Sequence, residues 1–327
     1  MILVTGASGL IGASLIDKLS AEGRQVRAIY RAAAGNQPGI EWVQGDILDI
    51  ASLQKAMQGV THVFHCAGLV SFAPRDKQLL YKVNVEGTAN VVNVCLATPG
   101  VKLCHVSSVA AIGKIQGETH PTEKSRWEAQ QGHSVYAASK HWGEAEVWRG
   151  IAEGLNAVIV NPSVVLGGTD TSRSSTKLLG YINAGNRFYV DGQSNFVDLR
   201  DVTEAMLRLM FSGISGERFI LNGGSVVYNR FFALAARCLG KRPPKIKLPL
   251  PLAQLFAKAE QVRSWLTGAR PLVTPDTVRR GHDVLEYNAS KVTKAVGVSF
   301  RPVEETITWA CQQIKNSGSQ TQKIKTK

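Results

Sequence analysis

Tyr136 and Lys140 lie four residues apart in YAASK, at the head of an alanine-rich stretch that also carries Trp142 and Trp148 and reads as a helix. Positions i and i+4 share one helical face, which sets a phenol beside an ammonium. The cation favours the phenolate, bringing the tyrosine toward the pH at which it exchanges a proton with a hydroxyl or carbonyl. Ser108 follows the apolar run 101–106 and Ser107, at the C-terminal end of a buried strand, where its hydroxyl can donate to the same oxygen. A second constellation opens the chain. TGASGLIG, residues 5–12, comes directly behind the apolar Ile2, Leu3 and Val4 and starts a segment with Leu10, Ile11, Leu15, Ile16 and Leu19 on one side: strand, glycine turn, helix. Turns of this kind bind dinucleotides. Gly6 permits a backbone conformation that a side chain would penalise, Gly9 lets a pyrophosphate approach, and Gly12 lets the helix pack on the strand. The helix N-terminus offers its free N–H groups to the phosphates. Thr5, Ser8, Leu10 and Ile11 complete the turn. Each motif alone also has a plain structural reading, since a tyrosine and a lysine often fall four apart by chance and many glycine turns bind nothing. Together they point to nicotinamide-dependent chemistry.

The elements between these motifs must bring them to one place. Residues 25–30 (QVRAIY) alternate like a strand and end at Arg31, beside the adenosine ribose of a doubly wound sheet. An acidic residue there would hold the 2′-hydroxyl of NAD. Arg31 instead suits a 2′-phosphate, which favours NADP(H) with NAD(H) as the alternative; a surface arginine at a strand end is the plain reading. A third strand over 41–44 leads into Gly45, Asp46 and Ile47. Asp46 can accept from an adenine amino group while Ile47 packs on the ring, or Asp46 can serve only to shape the turn. The strand 61–66 runs into Cys66, Ala67 and Gly68, small residues that leave room for a ring or ribose. A helix over 76–96 contains Asn84, Gly87 and Thr88.

In these motifs the chain resembles the short-chain dehydrogenase/reductase superfamily of the extended type (the NAD-dependent epimerase/dehydratase family), nearest the dihydroflavonol-reductase and 3β-hydroxysteroid-dehydrogenase branch. TGASGLIG fits the cofactor turn, HCAG (65–68) the ribose and nicotinamide motif, and VNVEGT (83–88) the helix behind the site. Ser108, five residues before Gly113, falls at the family's serine or threonine, and YAASK at its YxxxK pair. NPSVVLG (161–167) resembles the segment lining nicotinamide, and FVDLRDV (196–202) the strand that returns to the main domain. The resemblance implies that Tyr136 is the general acid and base, that Lys140 lowers its pKa and holds the cofactor ribose, and that Ser108 orients the substrate oxygen. Cys66, Ala67, Gly68, Asn84, Asn161, Pro162, Ser163 and Val164 would line the cofactor. It further implies an α/β, Rossmann-type doubly wound sheet, mainly parallel and of about seven strands, with a smaller, mostly helical C-terminal substrate lobe. The cofactor domain would span 1–166 with return segments near 196–222, and the lobe 167–195 and 223–314. One departure is informative. Nucleotide-sugar epimerases have an arginine ahead of the FVDLRDV region that grips the substrate diphosphate, and Ser194 stands there. The expectation is therefore a reductase of a ketone or aldehyde, working by hydride transfer. The alternatives are an epimerase or dehydratase of a sugar-like substrate, or a non-catalytic dinucleotide-binding scaffold.

A length of 327 residues supports a large core, and the chain starts within its first strand with no leader pattern and no long apolar run, so a cytoplasmic enzyme is expected. The five cysteines are scattered without metal-ligand spacing, and no metal is expected. The net charge of +13 is concentrated between 237 and 301 and after 314. A solvated basic face is the default reading, an anionic substrate or a membrane surface comes next, and nucleic acid, for which no motif is present, is not expected. The expected partner is a small carbonyl or alcohol; the helices from 76 and 136 could form a homodimer face, or their apolar positions could equally be core, which leaves the oligomeric state open. Asp201 and Glu204 have the form of a capping box for a helix reaching 211, with Asp198 at a strand end. Residues 174–184 read as helical. Leu252, Leu255, Phe256, Ala259, Val262 and Leu266 form an apolar helical face that most simply turns to the core, with a lid or a membrane contact as the alternative. The basic tail 315–327 reads as disordered.

Overall fold

The computed structural model of the protein describes residues 1–113, 117–128, 133–168, 177–267 and 285–325. Seven strands form the central sheet, in the order β3 (Ile40–Gln44), β2 (Val26–Tyr30), β1 (Ile2–Thr5), β4 (His62–His65), β5 (Lys102–Val106), β6 (Asn156–Pro162) and β10 (Glu217–Leu221), and every neighbouring pair is parallel. A parallel sheet is covered on both faces, which explains why β1, β4, β5 and β6 are nearly continuous buried runs. Alternation along β1 assigns the two layers. Ile2 and Val4 face Leu15, Ile16 and Leu19 of α1 (Leu10–Ala21) and Val202 and Met206 of α7 (Leu199–Met210). Leu3 faces Leu53 of α2 (Ile50–Ala56), Val91 and Val92 of α4 (Gly87–Leu96) and Val147 of α5 (Val135–Ala152). The strand order reverses between β1 and β4, and in such sheets ligands bind in the crevice beyond the strand ends at that point.

The helix over 76–96 is interrupted. α3 (Lys77–Tyr81) passes into one wide π-helical turn (Lys82–Glu86) before α4. Such turns are rare and gather at functional sites. Gly143 of α5 crosses this turn so closely that a Cβ there would lie 2.2 Å from the Asn84 carbonyl oxygen.

A second, three-stranded sheet contains β7 (Val164–Leu166), β9 (Gln193–Asp198) and β11 (Gly224–Val227), and a two-stranded ribbon pairs β8 (Phe188–Val190) with β12 (Ile246–Leu248). With α6 (Lys177–Asn183), α8 (Tyr228–Leu239) and the final helix Val303–Lys325 they enclose a separate core around Phe196, Phe231 and Ile307. Of the helix predicted over 174–184, residues 174–176 lie outside the described residues. Val292 and Val298, from the stretch predicted to build the lobe, pack instead on the α1 and α7 side of the main sheet.

Three predicted details differ. Asp198, not Asp201, caps α7: its carboxylate accepts from the Arg200 amide at 2.8 Å, because β9 ends there and the helix starts one residue later. Asp201 instead accepts from the Arg301 amide at 2.7 Å and pairs with its guanidinium, and Glu204 pairs with Lys18 and Arg208. The final helix continues to Lys325 through most of the tail read as disordered, since no proline follows Pro302 to stop it once Ile307, Ala310 and Cys311 have anchored it. The third difference concerns α9 (Leu250–Thr267). Its small residues Ala253 and Ala257 turn inward onto Val190 and Leu248, while Leu252, Leu255, Phe256 and Ala259 are exposed. The two-strand ribbon offers a narrow seat that alanines fit. The side chains of Lys258, Val262 and Leu266 lie outside the described residues.

Candidate active site

The glycine turn joins β1 to α1 at the switch point. Gly6 adopts φ +66°, and a Cβ on it would stand 2.5 Å from the Ala67 amide nitrogen; a Cβ on Gly12 would meet the Gly6 carbonyl oxygen at 2.3 Å. Both positions therefore exclude any side chain. Gly9 is the N-cap of α1 and brings no capping side chain, so the first-turn amides keep their capacity for an anion. Leu10 and Ile11 are half-buried in this first turn and Ser8 is exposed at its tip. Thr5 is fully buried. Its hydroxyl shares a 2.7 Å hydrogen bond with His65 Nδ1 and accepts from the Ala67 amide at 3.3 Å, so it ties the turn to the end of β4. His65 Nε2 continues this chain to Thr88 Oγ1 at 3.1 Å. Burial holds the His65 imidazole down to about 3, and it is neutral at ordinary pH.

Beyond β4, Cys66 and Ala67 are half-buried and Gly68 is exposed, with Asn84 and Lys140 as the groups nearest to its missing side chain. Asn84, predicted at the cofactor, is occupied otherwise: its Oδ1 accepts from the Leu69 amide at 2.7 Å, and its Nδ2 donates to Leu69 O and Ser139 Oγ, each at 2.9 Å. It fixes the loop after β4 against α5. Asp46 Oδ1 accepts from the Leu48 amide at 3.0 Å, the turn-shaping role. Ile47 is buried, and its tip fills the space where a Gly87 side chain would stand, so it is packed into the second core layer and not displayed for a ring. Arg31 is exposed just after β2.

Ser134 caps α5 by accepting from the Ala137 amide at 3.1 Å, and this start presents Tyr136 and Lys140 toward the end of β5. Ser108 faces the Tyr136 hydroxyl closely enough to act on its pKa, and its oxygen accepts from the Ala110 amide at 3.2 Å. Lys140 Nζ donates to the Val106 carbonyl at 2.8 Å. The predicted triad is thus brought together. Its electrostatics differ from the prediction: burial pushes the Tyr136 phenol up, opposed by Ser108 and not by the lysine, and Lys140 is drawn down to about 8 by burial, opposed by Glu144.

Glu144 was not singled out from the sequence. Its carboxylate is buried and accepts from Ser107 Oγ at 2.6 Å, Asn161 Nδ2 at 2.7 Å, Arg218 at 3.0 Å and Trp148 Nε1 at 3.2 Å. Asn161 Nδ2 also donates to the Ser108 carbonyl at 3.0 Å, so one carboxylate fixes the ends of β5 and β6 together. The available signal was spacing, since Tyr136, Lys140 and Glu144 recur every fourth residue on one helical face. Pro162 is buried and Val164 half-buried behind this strand end. Two buried acceptors, Asn161 Oδ1 and Ser163 Oγ, have no hydrogen-bond partner, a costly arrangement that a ligand's polar groups would relieve. Phe72 meets Tyr136 edge to face at 5.4 Å and, with Val70, gives the crevice an exposed apolar wall.

The sequence profile of the NAD-dependent epimerase/dehydratase family matches residues 2–221. The chain belongs to that family. A Synechocystis sp. protein that bears the provisional name dihydroflavonol 4-reductase is 31% identical over 328 residues, covering 96% of this chain and 94% of its own. Sterol demethylase protein B of Methylococcus capsulatus is 31% identical over 261 residues, 78% of this chain and 79% of that one. The crystal structure of gox2253 superposes with a TM-score of 0.82 at 29% identity, covering 97% of this chain and 98% of that one. As an extended short-chain dehydrogenase/reductase the chain is an NAD(P)-dependent oxidoreductase. Among the described residues no cluster could hold a metal ion, and no helix is long and apolar enough to cross a membrane.

Proposed function

We propose that this enzyme is an NADP(H)-dependent reductase that converts a ketone or aldehyde to the alcohol, or runs the reverse oxidation, with Tyr136 as general acid and base. The observation that carries the reading is the convergence of Tyr136, Ser108 and Lys140 beside a crevice whose glycine turn admits no side chain. The bound dinucleotide supplies the hydride equivalent. It would be held by the amides of the turn at Leu10 and Ile11, by Lys140, and by the unsatisfied Asn161 and Ser163. Arg31, with which no carboxylate pairs among the described residues, is assigned to the 2′-phosphate. Burial keeps the proton on the resting Tyr136, as an acid for carbonyl reduction requires. Ser108 donates to the same substrate oxygen, and Lys140, charged below its pKa of about 8, offsets the phenolate left after proton transfer.

Ser194 supports a reductase over a nucleotide-sugar epimerase. In place of a diphosphate-gripping arginine it faces the half-buried Tyr228. Val70 and Phe72 favour an apolar carbonyl compound. Selectivity is assigned to residues 167–195 and 223–314, the reaction to the cytoplasm, and the exposed Leu79, Tyr81 and Trp142 to contact with a second copy. The test is NADPH oxidation against a panel of ketones and aldehydes by wild type and Tyr136→Phe. Loss of about three orders of magnitude in kcat is expected; undiminished turnover in Tyr136→Phe, or cofactor retained through purification with no net redox turnover, would refute the reading.

A further inference from the structure

We propose that the outward face of α9 docks the enzyme on the surface of an anionic lipid membrane. The helix is arranged with its small residues inward. Ala253 and Ala257 meet the ribbon, whereas Leu252, Leu255 and Phe256 are exposed by 54, 64 and 47%. At 100° per residue Leu255, Ala259, Leu252 and Phe256 span about 100° of the helix, the width of the apolar stripe that elsewhere seals a core. Beside the helix, the ribbon exposes two further apolar side chains: Phe188 and Ile246 are register partners on the side that Val190 and Leu248 turn to α9, and both are exposed. Scattered apolar residues on a surface need no explanation, but a continuous stripe of leucine and phenylalanine does.

The surrounding charge selects the occupant. Residues 237–263 carry seven basic residues and one acidic residue. Arg187 and Lys245, both exposed, flank the Phe188 and Ile246 pair, and the Arg187 carbonyl accepts from the Lys245 amide at 3.0 Å. Arg237, Lys241 and Arg242 are exposed at the end of α8 and in the connection that follows. An apolar strip with cationic flanks is the combination that lies in the headgroup boundary of an anionic bilayer, where apolar burial and attraction to lipid phosphates add. A second copy of the chain would have to place these same cations against one another.

Co-sedimentation with sonicated vesicles tests this. Wild type is expected to pellet with phosphatidylcholine vesicles containing phosphatidylglycerol, to bind pure phosphatidylcholine at least tenfold more weakly, and to be released by salt. Leu255→Ser with Phe256→Ser should lower the partition coefficient at least tenfold while leaving the thermal unfolding midpoint unchanged, because both side chains are exposed in the folded protein. Lys241→Glu with Lys245→Glu should lower it on anionic vesicles alone. Absence of binding to anionic vesicles, equal binding by the double serine variant, or a dimer that this variant dissociates without any vesicle binding would each overturn the proposal.

Discussion

Lys140→Met is expected to abolish turnover and, in the ligand-free protein near neutral pH, to stabilise the fold. The ammonium is buried, and burial draws its pKa from 10.5 to about 8 although Glu144 opposes the shift. Between these two values the unfolded chain binds more protons than the folded one, so stability rises with pH across that window and is lowest below it. A shift of roughly 2.5 units corresponds to about 3 kcal/mol lost below about pH 8. Of this, about 2 kcal/mol returns between about pH 7 and about pH 9.5. Methionine matches the length of the chain without the charge, and it forfeits the bond to the Val106 carbonyl, roughly 1 kcal/mol. The net expectation is a variant more stable than wild type by about 2 kcal/mol at pH 7 and about equal to it at pH 9.5. Urea unfolding of both proteins at the two pH values measures this directly, since the other titrating groups are common to both and cancel. A stability difference that stays constant from pH 7 to 9.5 would refute the reasoning, because the lysine would then titrate alike in both states.

Gly6→Ala should abolish NADPH binding in a fluorescence titration and destabilise the protein by about 1–3 kcal/mol, since the residue combines φ +66° with a Cβ position 2.5 Å from Ala67. Arg31→Ala should weaken NADPH binding tenfold or more and leave NADH binding within about twofold, the loss of a charge-assisted contact worth about 1.5–3 kcal/mol; equal losses for both cofactors would remove the 2′-phosphate assignment. Glu144→Ala should destabilise the protein by about 3 kcal/mol in urea, as it removes the carboxylate paired with Arg218, which keeps its bonds to the Glu123 and Ser125 carbonyls, and frees Ser107 and Asn161. Glu144→Gln should retain the fold yet move the pH profile of kcat to lower pH, because the carboxylate is what raises Lys140 against its burial.

Much of the site could be read from the chain because its parts are local. The glycine turn is eight consecutive residues, and Tyr136 and Lys140 are placed by one helical period. The order of the central sheet follows from strand and helix alternation with right-handed crossovers. What stayed hidden depends on partners distant in sequence. Glu144 has meaning only once β5, β6 and β10 bring Ser107, Asn161 and Arg218 to it. Asp198 and Asp201 are equally good caps on paper, and the choice is made by where β9 stops pairing with β7. The rise of the Tyr136 pKa likewise reflects burial by surrounding elements, which spacing cannot report. On α9 the apolar period identified the helix and misjudged its direction, because a periodic stripe does not say which side finds a partner.

The wide turn at Lys82–Glu86 sets a rule for how this protein can change its length. A π-helical turn holds one residue more than the α-helix around it, and its extra space is used: Thr88 Oγ1 donates to the Asn84 carbonyl at 2.8 Å, and Gly143 passes against the same oxygen. Deleting a single residue here would restore a regular helix and leave the turns on either side near their present phase, but it would remove the widened turn that sets the position of Asn84. Asn84 would leave Leu69 and Ser139, and the loop beside Gly68 and Lys140 would lose its tether.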